Sequence, residues 1–493
     1  MTEYVLSLDI GTTSVKGVLF DTEGAVYESR LEEYQLIKHG ANIVEQDPEV
    51  YWTAVKTVIR GILAESDADS SAIMSVGVTS QGETLTVLDE SGAALRNSIV
   101  WLDNRSQAEA YAIGERFPIE EVYRITGQQE MIPTWTATRI LWMKKNEPEL
   151  FARAAKYLLA ADYITYRLTG DFATDRGMNP STLYFDITTG KWWPEMLEFL
   201  GITPTQLPSL KSSGEAVGNI SDEISAETGL STTTVVTTAP IDQIAGAVGA
   251  GNIEAGVVTE TTGAALAICA TSNKPSYDPG MGFGIYLHAI PGLYVMMPWV
   301  PTAGMVFRWF RDEFGGGKDY GELCAEAETV AIGADGLTML PHLAGAGTPA
   351  PDANARGAFT SITLNHGRSH FVRAVLESIA FMLRGNLELL EESGTAVKEI
   401  RSLGGGAKSN MWLQMKANVC NRTFVTMECD EAASLGVAML ACVGGGIYGN
   451  LTEARDRMVR ASRSIEPDPG CVEEYQSIYD RYRKLNTLDR SFS

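Results

Sequence analysis

A short strand, a turn built from glycine and threonine, and a second short strand occur near the start of this chain and again just past its midpoint. Residues 4–10 (YVLSLDI) read as a strand, residues 11–14 (GTTS) as a tight turn, and residues 15–20 (VKGVLF) as the returning strand. A third strand begins at residues 25–27 after the turn 21–24, which makes a β-meander. Residues 256–260 (GVVTE), 261–263 (TTG) and 264–269 (AALAIC) repeat the strand–turn–strand order. Two copies of one supersecondary unit point to a duplicated domain. The small-residue cluster at 246–255 marks the expected boundary, giving domains 1–248 and 249–493.

The intervening sequence fits an α/β chain. Asp47 and Pro48 are an N-cap and a first-turn proline, and Val55, Val58, Ile59, Ile62 and Leu63 follow at helical spacing. Residues 73–78 (IMSVGV) are a buried strand, so meander, helix and strand resemble the opening of a ribonuclease-H-like half. A helical stretch over 135–167 reads as an inserted substrate-side subdomain. In the second half, 294–297 is a strand and 371–390 a long helix with Val372, Val375, Leu376, Ile379 and Leu383 on one face. Residues 400–403 form a strand that runs into three glycines at 404–406, with a helix beginning near Ser409. At 493 residues, 45% of them hydrophobic, the chain has material for two buried cores.

A net charge of −23 gives no general attraction for nucleic acid or anionic lipid. A phosphate-rich ligand must therefore be held locally, by backbone amides, a few cations and a metal. The six cysteines include no C-x-x-C pair, which fits reduced thiols in a cytosolic core. His366 and His370 are four apart, but Gly367 and Arg368 between them suggest the start of a helix rather than a metal pair. The first residues carry no basic-then-apolar leader pattern, and no apolar run is long enough to cross a bilayer, so the cytoplasm is the expected compartment.

The turns carry the chemistry. In 9–16 (DIGTTSVK) an aspartate at a strand end precedes glycine, threonine and serine, whose backbone N–H groups and hydroxyls suit a phosphate. An aspartate facing a triphosphate makes sense with Mg²⁺ between them. The same residue types also make an ordinary polar hairpin. The turn at 261–263 offers a second phosphate loop. The run 404–410 (GGGAKSN) is a strand-to-helix glycine loop that matches neither the P-loop nor the dinucleotide-binding G-x-G-x-x-G pattern. Its glycines allow a flat ring to lie against backbone.

At these points the chain resembles the FGGY carbohydrate kinase family of the actin/hexokinase/Hsp70-like superfamily, over almost its whole length. Residues 9–14 (DIGTTS) are similar to that family's first phosphate motif and 404–414 (GGGAKSNMWLQ) to its adenosine motif. Residues 357–362 (GAFTSI) with 370–377 (HFVRAVLE) are similar to its C-terminal signature. Residues 45–49 (EQDPE) and 101–105 (WLDNR) look like xylulokinase-type members. The resemblance implies two ribonuclease-H-like domains around a central cleft, a sugar side in the N-terminal domain and a nucleotide side in the C-terminal one.

It also implies roles for individual residues. Asp242, in 239–243 (APIDQ), matches the catalytic base, and Asp9 the magnesium-associated aspartate. Gly11, Thr12, Thr13, Lys16, Thr262 and Gly263 match phosphate contacts. Gly304 and Arg308 match nucleotide contacts, and Gly405, Gly406, Ala407 and Asn410 adenosine contacts. Gln81, Gly82 and Glu83 fall where family members read the sugar; Trp135 and Gln243 join them as substrate-site candidates. Expected partners are ATP with Mg²⁺ and a small sugar or polyol, in a monomer or homodimer, with no nucleic acid or membrane. Xylulokinases usually carry Met-His where this chain has Gly82-Glu83, and glycerol kinases Arg-Glu. Thr261 replaces the usual leading glycine of the second phosphate motif. A xylulose-like ketose is the expected substrate, with ribulose, glycerol or another polyol, and sugar acids open. An actin- or Hsp70-like ATPase and a non-catalytic sugar sensor are the readings of other classes.

Overall fold

The computed structural model describes residues 3–489. Residues 1, 2 and 490–493, which the sequence-based domain limits include, lie outside the described residues. The chain forms two compact units. The first takes the chain through Ile253 together with Gly284–Tyr294 and Glu431–Val459; the second takes Glu254–Phe283, Val295–Asp430 and the chain from Arg460 onward.

In the first unit the meander forms as its turns direct. Tyr4–Ile10, Ser14–Asp21 and Val26–Glu33 pair antiparallel in succession. Ile73–Ser80 joins Tyr4–Ile10 in parallel, Val235–Thr238 joins Ile73–Ser80 in parallel, and Ala216–Asn219 closes the edge antiparallel. A parallel neighbour requires a crossover, and the helix Pro48–Glu65 lies within the first one. Asp47 caps that helix, accepting from the Glu49 N–H at 2.9 Å, and Pro48 takes its first turn. Val55, Val58, Ile59 and Ile62 bury its apolar stripe against the sheet. A Cβ at Gly17 would lie 2.3 Å from Val58 Cγ1, so the helix reaches the sheet because strand position 17 has no side chain. The helix Ala432–Gly444, distant in sequence, covers the same sheet; Ser75 Oγ donates to Ala441 O at 2.7 Å.

The stretch expected to be helical over 135–167 is broken. Thr136–Asn146, Pro148–Arg153 and Ala160–Thr169 are separate helices, with the strand Lys156–Leu158 before the last. Pro148 cannot continue the preceding helix and starts a new one. The region packs its own apolar core, with Trp135, Ile140, Tyr157, Trp193 and Leu200 among its members. Within it Asp162, 3% exposed, accepts from the Leu159 N–H at 2.9 Å. Burial pushes its carboxyl up to about 7. A raised folded-state value means that ionisation opposes folding: the penalty is absent below the ordinary 3.8, grows up to about 7 and is constant above it. Asp162→Asn keeps the acceptor for Leu159. It is therefore expected to melt above wild type at pH 8, by a margin that shrinks toward zero near pH 4; a margin independent of pH in thermal melts would refute the burial cost.

The second unit repeats the order of pairings. Val257–Thr262 pairs antiparallel with Leu266–Ser272 and parallel with Glu399–Leu403; Thr423–Met427 follows in parallel and Ala461–Ile465 antiparallel. The first strand runs through Thr262, so the turn falls at 263–265 rather than 261–263, with the Gly263 N–H donating to Ala265 O at 3.0 Å. The predicted long helix spans Arg368–Glu392 and buries Val372, Val375, Leu376, Ile379 and Leu383. His366 precedes it and His370 lies in its first turn, where Nδ1 accepts from the Gly367 N–H at 3.2 Å and Nε2 faces Asp335 at 3.1 Å. All six cysteines are thiols. Among the described residues no helix is long and apolar enough to cross a membrane.

Candidate active site

Ligand-binding residues of open α/β sheets gather beyond the carboxyl ends of parallel strands. Three neighbouring ends in the first unit carry predicted residues. Asp9 is the penultimate residue of Tyr4–Ile10, opposite Lys16 in the hairpin and Thr79 on the parallel side. Gln81 follows Ile73–Ser80, its N–H donating to Ile10 O at 3.0 Å. Asp242 opens the helix Asp242–Gly249 just beyond Val235–Thr238. Thr79 Oγ1 holds the intervening loop by donating to Pro240 O at 2.6 Å.

Here polar atoms are buried without partners. Gln81 is 5% exposed, and neither its amide oxygen nor its amide nitrogen makes a hydrogen bond of ordinary geometry; the same holds for Asp9 Oδ1. The Tyr51 hydroxyl, beside Gln81, also lacks a bond of ordinary geometry. Most buried polar groups are satisfied, so this cluster marks a surface shaped for a hydrogen-bonding ligand. Glu83, buried beside Ser181, adopts a left-handed backbone with φ 60°. Such strain persists only where surroundings impose it. Here the Glu83 carbonyl accepts from Arg139 Nη1 at 2.6 Å and from Thr136 Oγ1 at 3.4 Å.

Burial raises all three carboxyls, and Asp242 is raised further by the charges of the other two. Burial lifts Asp9 to about 6, with Lys16 opposing and Glu431 adding to the shift. Burial lifts Asp242 well above the usual carboxylate range, reinforced by the charges of Asp9 and Glu83. Burial lifts Glu83 too, against the pull of Ser181 and Arg139. The cations that act on them are committed elsewhere. Lys16 Nζ pairs with Glu431 Oε1 at 2.5 Å. Arg139, fully buried and lowered to about 10 by that burial, gives Nη1 to Glu83 O and Nη2 to Trp101 O at 2.8 Å.

The hairpin turn at residues 11–14 is braced from this side. Trp101 Nε1 donates to Thr12 Oγ1 at 2.9 Å, so the Thr12 hydroxyl is left to donate outward. Residues 101–105 are in turn fixed by fully buried Asp103, which accepts from Arg105 Nε and Nη2 and from the Val44 N–H; Arg105 also bonds Glu45 at 2.7 Å. Arg105 thus ties Glu45 to the segment 101–105. Gly11 folds back within the turn, its N–H donating to Ser14 O at 2.9 Å, and Thr13 is exposed. Gln243 is exposed, whereas Trp135 is 8% exposed, sits in the subdomain core and donates Nε1 to Glu130 O at 2.7 Å.

The second unit holds a cavity of about 690 Å³. Thr262, Gly263, Gly304, Arg308, Gly405 and Gly406 line it, as do the aromatic rings of Phe307, Tyr320 and Trp412. A Cβ at Gly304 would lie 2.3 Å from Gly263 O, so the helix Gly304–Phe314 can start against the turn only with glycine there. Helix N-termini favour phosphate, and the Met305 N–H already reaches Ala264 O at 3.1 Å. Phe307 meets Tyr320 and Trp412 at 5.1 and 6.0 Å between ring centroids. Ala407 and Asn410 do not line the cavity: both accept from the Arg463 guanidinium, Ala407 through its carbonyl and Asn410 through Oδ1. The sequence reading named no role for Arg139, Ser181, Phe307 or Tyr320, which read as ordinary core or surface residues until the fold places them; Trp412 lay within 404–414 without a role of its own.

The N-terminal domain of the FGGY family of carbohydrate kinases matches residues 4–249, and the C-terminal domain of that family matches residues 262–445. This chain belongs to the FGGY family of carbohydrate kinases. A xylulose kinase from Bacillus subtilis is 30% identical over 98% of this FGGY kinase and 97% of its own length. A gluconokinase from the same organism is 29% identical over 99% and 96%. The crystal structure of ligand-bound xylulose kinase from Lactobacillus acidophilus superimposes with a TM-score of 0.92 at 28% identity, covering 100% of both chains. As a carbohydrate kinase, the protein uses ATP as co-substrate and a sugar as acceptor.

Proposed function

We propose that this FGGY kinase phosphorylates a hydroxyl of an uncharged open-chain ketose or polyol, with a xylulose-like ketose as substrate and Asp242 as general base. The observation that carries this reading is the pair of buried side chains with unpartnered polar atoms, Gln81 and Asp9, at the same strand ends as Asp242. An amide with a free acceptor and a free donor, flanked by hydroxyl and carboxyl groups, matches the alternating hydrogen-bond demands of a polyhydroxy chain. A sugar acid fits poorly: its carboxylate would meet Asp9, Glu83 and Asp242, while Lys16 is paired with Glu431 and Arg139 keeps only Nε unbonded, with both terminal nitrogens on carbonyls. The cavity of the second unit takes the nucleotide, with its ring against the aromatic wall and the glycines of residues 404–406.

In the reaction Asp242 accepts the proton of the attacking sugar hydroxyl, while Gln81 and Glu83 orient the sugar. The residues present fit a divalent cation at Asp9, because a hard cation takes carboxylate oxygen and Asp9 Oδ1 is buried with no donor. Mg²⁺ bound there supplies charge neutralisation on the triphosphate. We place the enzyme in the cytoplasm, as a monomer or homodimer.

A coupled ADP-release assay over ketopentoses, ketohexoses, polyols and sugar acids tests the assignment. A neutral ketose or polyol is expected to exceed gluconate by at least about tenfold in kcat/KM, equivalent to 1.4 kcal/mol. Preference for gluconate would overturn the substrate class. ADP release that no sugar stimulates would instead favour an ATPase.

A further inference from the structure

A fully buried ion pair lies directly behind the wall of the second unit's cavity. Lys416, within the helix Asn410–Cys420, places Nζ 2.8 Å from Glu260 Oε1, and both side chains are 0% exposed. Glu260 belongs to Val257–Thr262 and stands opposite Ser402 across the parallel pair, whose hydroxyl donates to Oε1. Glu260 Oε2 accepts from Thr262 Oγ1 at 2.7 Å, and Lys416 Nζ also donates to Thr262 Oγ1 at 2.8 Å.

We propose that Lys416 and Glu260 are a positioning pair that sets the shape of the nucleotide cavity; the inference rests on the nucleotide reading given above. Three segments of the cavity wall meet at this one ammonium group. The first is Thr262: its hydroxyl donates to Glu260 and accepts from Lys416, which turns it inward and leaves the phosphate side of the turn to backbone. The second is the glycine loop: a Cβ at Gly406 would lie 3.1 Å from Lys416 Nζ and 2.7 Å from Thr262 Cβ, so the backbone there rests on the pair. The third is Trp412, whose ring centroid lies 4.7 Å from Nζ. Apolar residues of similar volume could fill this space without the desolvation that two buried charges require. They could not orient the Thr262 hydroxyl, which needs an acceptor and a donor on opposite sides.

The same physics supplies the test. In a Glu260→Leu/Lys416→Met double variant neither charge is stranded, so the fold is expected to persist, with a melting temperature near that of wild type. Its Kd for ADP, measured by calorimetry on the full chain, is expected to rise at least about tenfold. Thr262→Val is expected to raise the Kd in the same direction and Thr262→Ser, which keeps the hydroxyl, to restore it. An ADP Kd within about twofold of wild type in the folded double variant would overturn the proposal. If the double variant does not fold, the Thr262 pair decides: a silent Thr262→Val overturns it as well. Wild-type protein that fails to bind ADP at all would sink the nucleotide assignment itself, a different outcome from a variant that binds as wild type does.

Discussion

Asp242→Asn is expected to bind ADP and sugar with unchanged Kd while kcat falls by about 10²–10⁴-fold, the usual contribution of a positioned base. The substitution isolates one property. Asparagine has the same outline, and its side-chain oxygen can still accept from the Gln243 N–H, now bonded to Asp242 Oδ1 at 2.7 Å. Asp242 heads the helix Asp242–Gly249 without contributing to the apolar face, so packing is spared. What disappears is the proposed proton acceptor. Its proton affinity is raised by burial and then by the charges of Asp9 and Glu83, which brings a carboxylate closer to the range where it takes a proton from an attacking hydroxyl. Steady-state kinetics with calorimetric binding checks this: wild-type kcat removes Asp242 from the role, and a rise in sugar KM at constant kcat makes it a binding residue instead.

The parts of the fold legible in sequence are those carried by local chemistry. The meander is announced by its turns, the helix Pro48–Glu65 by Asp47 and Pro48, and the helix Arg368–Glu392 by its apolar spacing. Gly304, Gly405 and Gly406 were readable through the family resemblance, and all three line the cavity; close approach requires glycine at 304 and 406. What escaped depends on contacts between distant segments. Nothing local says that Ala432–Gly444 covers the sheet begun at Tyr4, since its residues are almost uniformly apolar or small. Arg139 reads as a solvated helix position, yet the fold buries it to bridge Glu83 and Trp101. Lys416 lies just past the 404–414 stretch, and its meaning comes from Glu260, 156 positions earlier. The ion pair of Lys16 with Glu431 likewise joins positions 415 residues apart.

Gly436→Ala is expected to destabilise the first unit by about 3 kcal/mol or more, at the upper end of overpacking costs, although alanine is the better helix former by about 1 kcal/mol. The helices Asp242–Gly249 and Ala432–Gly444 cross with backbone against backbone. A Cβ at Gly436 would lie 1.9 Å from Ala245 O, and one at Gly249 would lie 1.8 Å from Ala432 O and 2.6 Å from Gly436 N. No rotamer relieves these contacts, because the obstructing atoms are main chain; the helices must separate. Gly246, in the same helix as Gly249, provides the control. Its Cβ would meet nothing nearer than Ala433 N at 4.0 Å, so Gly246→Ala is expected to be neutral or stabilising. The two substitutions are chemically identical and differ only in where the added methyl points, so opposite signs in denaturant melts isolate the crossing as the cause. Because the displaced helix carries Asp242 at its N-terminus, Gly436→Ala protein that remains folded is also expected to lose kcat more than ADP affinity. Equal melting of Gly436→Ala and Gly246→Ala would mean that the crossing has slack, and that the position of Asp242 does not depend on it.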